Sequence, residues 1–273
     1  MSLLSTESLS VFLSPTDLVA VRWHGRPRRI VDKRAYRIAA HQGEDWTAAV
    51  ETLAEVLRET GVRNVSLTLS CHFTPYQLLP WRDDLNDLEE ELAVARLAFV
   101  ATYGDTALRW NVRLSDEAPG QARIAAAIDG DFLVALEQLA VANKVRLTAV
   151  QTYLVAAFNH WRNHFARNRS RWFVLHEKER VCLALIDSGR WQWVRCVRIG
   201  DDWSERLPEL VEHEILLSGT ASTPADVLVF SPECPKLVLR SETRQHFLSL
   251  RQEDRSGFSA INEGQFGLAM LGE

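Results

Sequence analysis

At 273 residues, with 47% hydrophobic and 25% charged side chains, the chain can build one large core or two modest ones, and its composition excludes wholesale disorder. A net charge of -5 argues against a dedicated nucleic-acid binder, because phosphate contacts need a basic face. No basic segment precedes an apolar run at the start, and no stretch approaches about 18 uncharged apolar residues, so the expectation is a cytoplasmic protein with no signal peptide or membrane helix.

The chain opens with an apolar run from Leu9, the turn Ser14-Pro15-Thr16-Asp17, a second run to Trp23, and a third over residues 29–38. This reads as a three-stranded antiparallel meander. Residues 45–60 carry Trp46, Ala49, Val50, Leu53, Ala54, Val56 and Leu57 at helical spacing, and Gly61 is a natural stop. Residues 65–69 alternate as a strand. A second helix is predicted over 87–103, acidic in its first turn and closed by Gly104. Strands at 108–114 and 122–128, a helix from Asp129 or Asp131 to Asn143, a strand at 145–150 and a helix over 153–165 follow.

The pattern then begins again. Residues 171–199 read as strand, turn at Glu177-Lys178-Glu179, strand, turn at Ser188-Gly189, strand. A helix over 203–217, strands at 225–230 and 236–240, and a terminal helix over 260–271 complete the reading. Meander, helix, strand has occurred twice, so the predicted fold class is α/β with a duplicated plan. The expected units are 1–165, with an inserted subdomain at about 82–143, and 166–273; the basic stretch 167–171 marks the boundary.

The order of elements, with Ser66-Leu-Thr-Leu-Ser70, Phe73, the run from Tyr76 to Pro80-Trp81, and the ending Phe266-Gly-Leu-Ala-Met-Leu271, resembles bacterial actin-like proteins of type IV pili and type II secretion. These are the PilM type and the cytoplasmic domain of the GspL type. The resemblance implies an actin-like (RNase H-like) duplicated fold. It also implies a partner: an inner-membrane assembly protein like PilN, or a secretion ATPase, with a second copy of the chain as a further candidate.

A nucleotide site in such a fold needs small, glycine-containing turns whose N–H groups approach phosphates. The first turn has no glycine, and Pro15 removes a donor. Thr16 could hold an anion, but Asp17 repels it. In the second turn Glu177 and Glu179 flank Lys178. Where an adenosine-binding Gly-Gly turn would fall, the chain reads Ser231-Pro-Glu-Cys-Pro235. Ser14, Thr16, Asp17, Glu177 and Lys178 are therefore read as degenerate phosphate-loop positions, with no cofactor, no metal and no catalytic residue expected. Asp187-Ser188-Gly189 is read as a hairpin turn, not a phosphate loop.

Other candidates are weaker. His160 and His164 have ligand-like helical spacing without a third ligand. Cys71 and His72 are adjacent on extended chain and point apart. The four cysteines have no CxxC spacing and read as buried free thiols. Trp191 and Trp193 are expected on one strand face beside Arg190, packing a core or meeting a partner, since aromatics and arginine dominate interface hot spots. Arg167 and Arg169 could face anionic lipid or an acidic partner tail, or be a solvated linker. The expected function is a non-catalytic scaffold of pilus or secretion assembly that touches the membrane only peripherally. The alternative is an ATPase or phosphotransferase of the same superfamily with atypical phosphate loops.

Overall fold

The computed structural model describes residues 7–39, 46–85, 87–165, 169–219, 224–237, 239 and 244–272. Short apolar runs separated by tight turns form β1 (Ser8–Leu13), β2 (Asp17–His24) and β3 (Arg29–Arg37). The helix α1 (Thr47–Thr60) buries Ala49, Leu53, Val56 and Leu57 on one stripe, and Gly61 ends it in the left-handed conformation with its N–H on the Leu57 carbonyl. Then come β4 (Asn64–Leu69) and β5 (Tyr76–Leu79). The Asp87 carboxylate accepts the Glu89 and Glu90 N–H groups and so starts α2 (Leu88–Tyr103). A 3-10 turn leads to β6 (Trp110–Leu114) and β7 (Arg123–Asp129). Asp129 caps α3 (Gly130–Ala142), which is followed by β8 (Arg146–Thr152) and α4 (Tyr153–Trp161).

The second series is β9 (Ser170–Glu177), β10 (Arg180–Asp187), β11 (Arg190–Arg198), α5 (Trp203–Ser218), β12 (Asp226–Phe230), β13 (His246–Leu250) and a 3-10 helix over Gly264–Met270. The two main sheets share one order: β3-β2-β1-β4-β8 and β11-β10-β9-β12-β13. In each, the meander is antiparallel and the last two strands run parallel to its first. β5, β7 and β6 form a third, antiparallel sheet.

The duplication extends to a single residue. The second hairpin of each meander carries a bulge at the same place. In the first, Trp23 pairs with Ile30 and Arg22 with Asp32; in the second, Ile186 pairs with Trp191 and Leu185 with Trp193. The extra residues are Val31 and Gln192.

Three expectations are corrected. Of the strand expected at 236–240, Lys236, Leu237 and Leu239 lie outside any strand, residues 238 and 240 fall outside the described residues, and the described parallel neighbour of β12 lies further along the chain. That neighbour is β13, because a parallel partner needs a crossover of roughly a dozen residues and 236 follows Phe230 too soon. The expected terminal helix is a 3-10 helix over Gly264–Met270. Gly264 and Gly267 let it press against the chain so closely that a Cβ on either would lie 2.0 Å from an oxygen of Pro232 or Gln252. The third sheet also begins before the expected insertion, since β5 is Tyr76–Leu79.

α1 covers the outer face of the first sheet and α5 that of the second. The inner faces meet in one continuous core. Phe12, Val21 and Trp23 from one side join Phe173, Ile186 and Phe230 from the other, with α4 and the C-terminal 3-10 helix between them.

Candidate functional site

The two meander turns lie against each other at the seam between the sheets. In the first, the Ser14 hydroxyl accepts the N–H groups of Thr16 (3.3 Å) and Asp17 (2.9 Å) and donates to the Asp17 carbonyl. The backbone donors that a phosphate would use are therefore spent inside the turn. Thr16 donates to the Asp17 carboxylate at 2.6 Å, and Asp17 also holds Arg37 at 2.8 Å. In the second turn Lys178 reaches Asp17 at 3.8 Å, and its N–H donates to Glu233 at 3.2 Å. His72 Nε2 lies 3.0 Å from the Lys178 carbonyl.

Glu177 is 3% exposed, and its Oε1 accepts the Cys71 N–H at 2.9 Å. Its Oε2 has no partner at hydrogen-bond geometry; the Ser70 hydroxyl and the Cys71 thiol lie near the carboxyl group. Burial pushes the Glu177 carboxyl well above the ordinary carboxylate range. Burial, then the charge of Asp17, raises Glu233 as well.

What remains open among Ser14, Thr16, Asp17, Glu177, Lys178 and Glu233 is a cavity of about 10 Å³, room for about one water. The Ser231–Pro235 turn bounds a second cavity of about 10 Å³, walled by Gly264 and Gln252. Ligand sites usually need about 300–1,000 Å³. His176 sits behind this region, stacked on Trp203 with ring centroids 3.8 Å apart and Nδ1 2.9 Å from the Ser231 hydroxyl; burial lowers its pKa to about 4.

A second concavity differs in every respect. A groove of about 480 Å³ opens between the third sheet and the edge of the first, lined by Arg113 and Leu114 of β6, Ile124 and Ala126 of β7, and Val150 and Gln151 of β8. Among the described residues β6 and β8 are both edge strands, each paired on one side only. Sequence reasoning missed this groove. β5, which pairs with β7 beneath it, is too short to show a period, and the pairing of β4 with β8 spans a long separation.

The aromatic pair on β11 is also corrected. Because of the bulge at Gln192, Trp191 and Trp193 stand on opposite faces of the sheet, not on one. Trp191 is 3% exposed and packs on Phe158 with ring centroids 4.5 Å apart. Trp193 belongs to the outer core and donates to Glu214 at 3.0 Å, and the same buried carboxylate accepts from Arg195 at 3.1 Å. Arg190 and Arg169 are exposed, while Arg167 lies outside the described residues. His160 and His164 sit edge-on to the Trp161 ring. Ser188 and Gly189, with φ of 53° and 80°, form a hairpin turn, as read from the sequence.

One cluster had no sequence signal. The Sγ atoms of Cys71, Cys182 and Cys196 all lie within 4.8 Å of one another. Burial pushes the Cys71 and Cys182 thiols up, while hydrogen bonds from those two thiols pull Cys196 down.

No protein-family model matches the sequence, and no curated protein matches it. Solved structures do match. The cytoplasmic domain of EpsL, an inner-membrane component of the Vibrio cholerae type II secretion system, superimposes with a TM-score of 0.60 at 11% identity, over 98% of this chain and 95% of that one. A PilM–PilN type IV pilus biogenesis complex gives 0.59 at 13% identity, over 82% and 80%. A Bacteroides thetaiotaomicron protein of actin-like ATPase fold and unknown function gives 0.59 at 12% identity, over 98% and 96%. The chain has the duplicated actin-like fold. Among the described residues, no helix is long and apolar enough to cross a membrane.

Proposed function

We propose that this chain is a non-catalytic, cytoplasmic actin-like scaffold of a type IV pilus or type II secretion-like assembly. Its working surface is the groove between β6 and β8, which receives an extended segment of an inner-membrane partner of the PilN type. The observation that carries the reading is the contrast between two cavities: about 10 Å³ at the phosphate turns and about 480 Å³ at the groove. The phosphate position is filled by the protein's own groups, with Asp17, Glu177 and Glu233 facing the space that a polyphosphate would need. The groove joins an apolar floor to two unpaired strand edges, the arrangement by which an added strand gains main-chain hydrogen bonds and side-chain pockets. That a similar fold occurs in a PilM–PilN complex and in a secretion component supports this choice of partner class.

Two measurements test this. Mg-ATP is expected to leave the melting temperature unchanged; a saturable rise would favour the ATPase or phosphotransferase reading. A synthetic peptide from the cytoplasmic N-terminus of a PilN-type protein is expected to bind, and Val150→Arg in the groove to weaken it at least about tenfold. Full-strength binding to that variant rules the groove out.

A further inference from the structure

Cys71, Cys182 and Cys196 come from three separate chain segments: the turn after β4 in the first series, and β10 and β11 in the second. Cys182 and Cys196 are direct cross-strand partners. Cys71 is brought to them across the seam, and its N–H is held by Glu177. The duplicated frame offers a comparison, in which the first-series counterpart of Cys182 is buried and that of Cys196 is exposed. At the equivalent register of the first sheet, counted from the shared bulge, Val19 stands opposite Ala35. The second series puts two thiols where the first puts two plain apolar side chains, and it does so where the third thiol arrives.

We propose that these three cysteines form a thiolate site for one soft metal ion, of the zinc or cuprous class, which pins the turn after β4 to the β10–β11 hairpin. With metal–sulfur bonds near 2.3 Å, three sulfurs around one ion stand about 3.8–4.0 Å apart, so a triangle with sides within 4.8 Å closes with a movement of about 1 Å or less. Thiolates select soft ions over magnesium or calcium. Each thiol that coordinates releases its proton to solvent, and no electron is transferred. Cys71 and Cys182 are buried and Cys196 is half-buried, so the ion would enter from the β11 side. Among the described residues no carboxylate oxygen joins the three sulfurs within 4.8 Å, so water from the β11 side would complete a four-coordinate shell. This inference does not depend on the docking reading, and either can fail alone.

The test uses the full chain, purified under reducing, anaerobic conditions and stripped with a chelator. Cobalt(II) should bind at one equivalent with intense thiolate-to-cobalt charge-transfer bands in the near ultraviolet. One equivalent of zinc or of cuprous ion should abolish those bands and raise the melting temperature. The variant pair Cys182→Val with Cys196→Ala copies the first sheet and keeps the core filled; it should lose the bands and weaken metal retention at least about 100-fold while remaining folded by circular dichroism. Absence of thiolate bands in the folded parent chain, or equal metal retention by the folded variant, overturns the proposal. So does a parent chain whose Cys182 and Cys196 emerge from anaerobic purification joined as a disulfide.

Discussion

The seam between the two main sheets and the groove beside β8 are both concave and both bordered by strands, yet one is shut and the other open. At the seam, polar side chains turn inward onto the protein's own groups: Ser14 caps its own turn, Lys178 bridges to Asp17, and Glu177 holds Cys71. At the groove, small and apolar side chains such as Ala126 and Val150 leave a trough, and among the described residues no strand pairs with the edges beside it. A fold that binds nucleotide at the seam must keep that space empty. Here it is packed as core, and the empty space lies elsewhere.

The largest expected effect tests whether the seam is core. Tyr153 is fully buried between Phe12 and Phe230, with ring centroids 5.4 and 6.4 Å away. Tyr153→Ala should cost about 3–5 kcal/mol in urea unfolding, as large-to-small core changes do. A loss below about 1 kcal/mol would mean the two sheets are not welded there.

The seam should also impose a pH optimum, with two opposed arms. His176 has a folded pKa of about 4 against 6.5 unfolded, so the unfolded chain binds more protons between these values. Stability is then fully present above about 6.5 and falls as pH drops toward 4, by up to roughly 3 kcal/mol. Glu177 has the opposite sign: its raised folded pKa means the native state holds the extra proton, so its contribution declines as pH rises above the unfolded value of 4.5. In Glu177→Gln the alkaline decline should shrink while the acid arm stays. Denaturation midpoints from pH 4 to 9 read both arms, and an unchanged alkaline slope would remove Glu177 from the account.

A smaller effect separates the groove from stability altogether. Val150 is 40% exposed, so Val150→Arg should shift unfolding by no more than about 0.5 kcal/mol while removing peptide binding. The smallest expected effect concerns Arg190→Ala and Arg169→Ala, both exposed, which should leave stability within about 0.5 kcal/mol. If either weakens the partner peptide as much as the groove variant does, the docking surface extends to the boundary between the two series.

Much of the frame was legible because it rests on local chemistry. Gly61 at a helix end, Asp87 and Asp129 at helix starts, and Ser188-Gly189 in a hairpin each act through neighbours in the chain. The absence of glycine from the two meander turns and the carboxylates flanking Lys178 were legible in the same way, because both are properties of the local chain. Less was legible at the sites. The pairing of β13 with β12 and of β5 with β7 depends on chain returning over a distance. The placement of Trp191 and Trp193 hinged on one inserted residue.

The sequence by itself determined the duplicated strand, helix and turn order and the absence of glycine from the two meander turns, since both follow from the local chain. Only the tertiary structure decided how the seam was closed, where the groove opened and which cysteines met. A regular hairpin closed at Ser188-Gly189 would place Arg195 opposite Cys182. The bulge at Gln192 shifts the register by one residue, brings Cys196 there instead, and sets both within reach of Cys71 from the other sheet. A one-residue slip turns every side chain beyond it to the other face, and that choice is made by packing across the sheet, not along the chain.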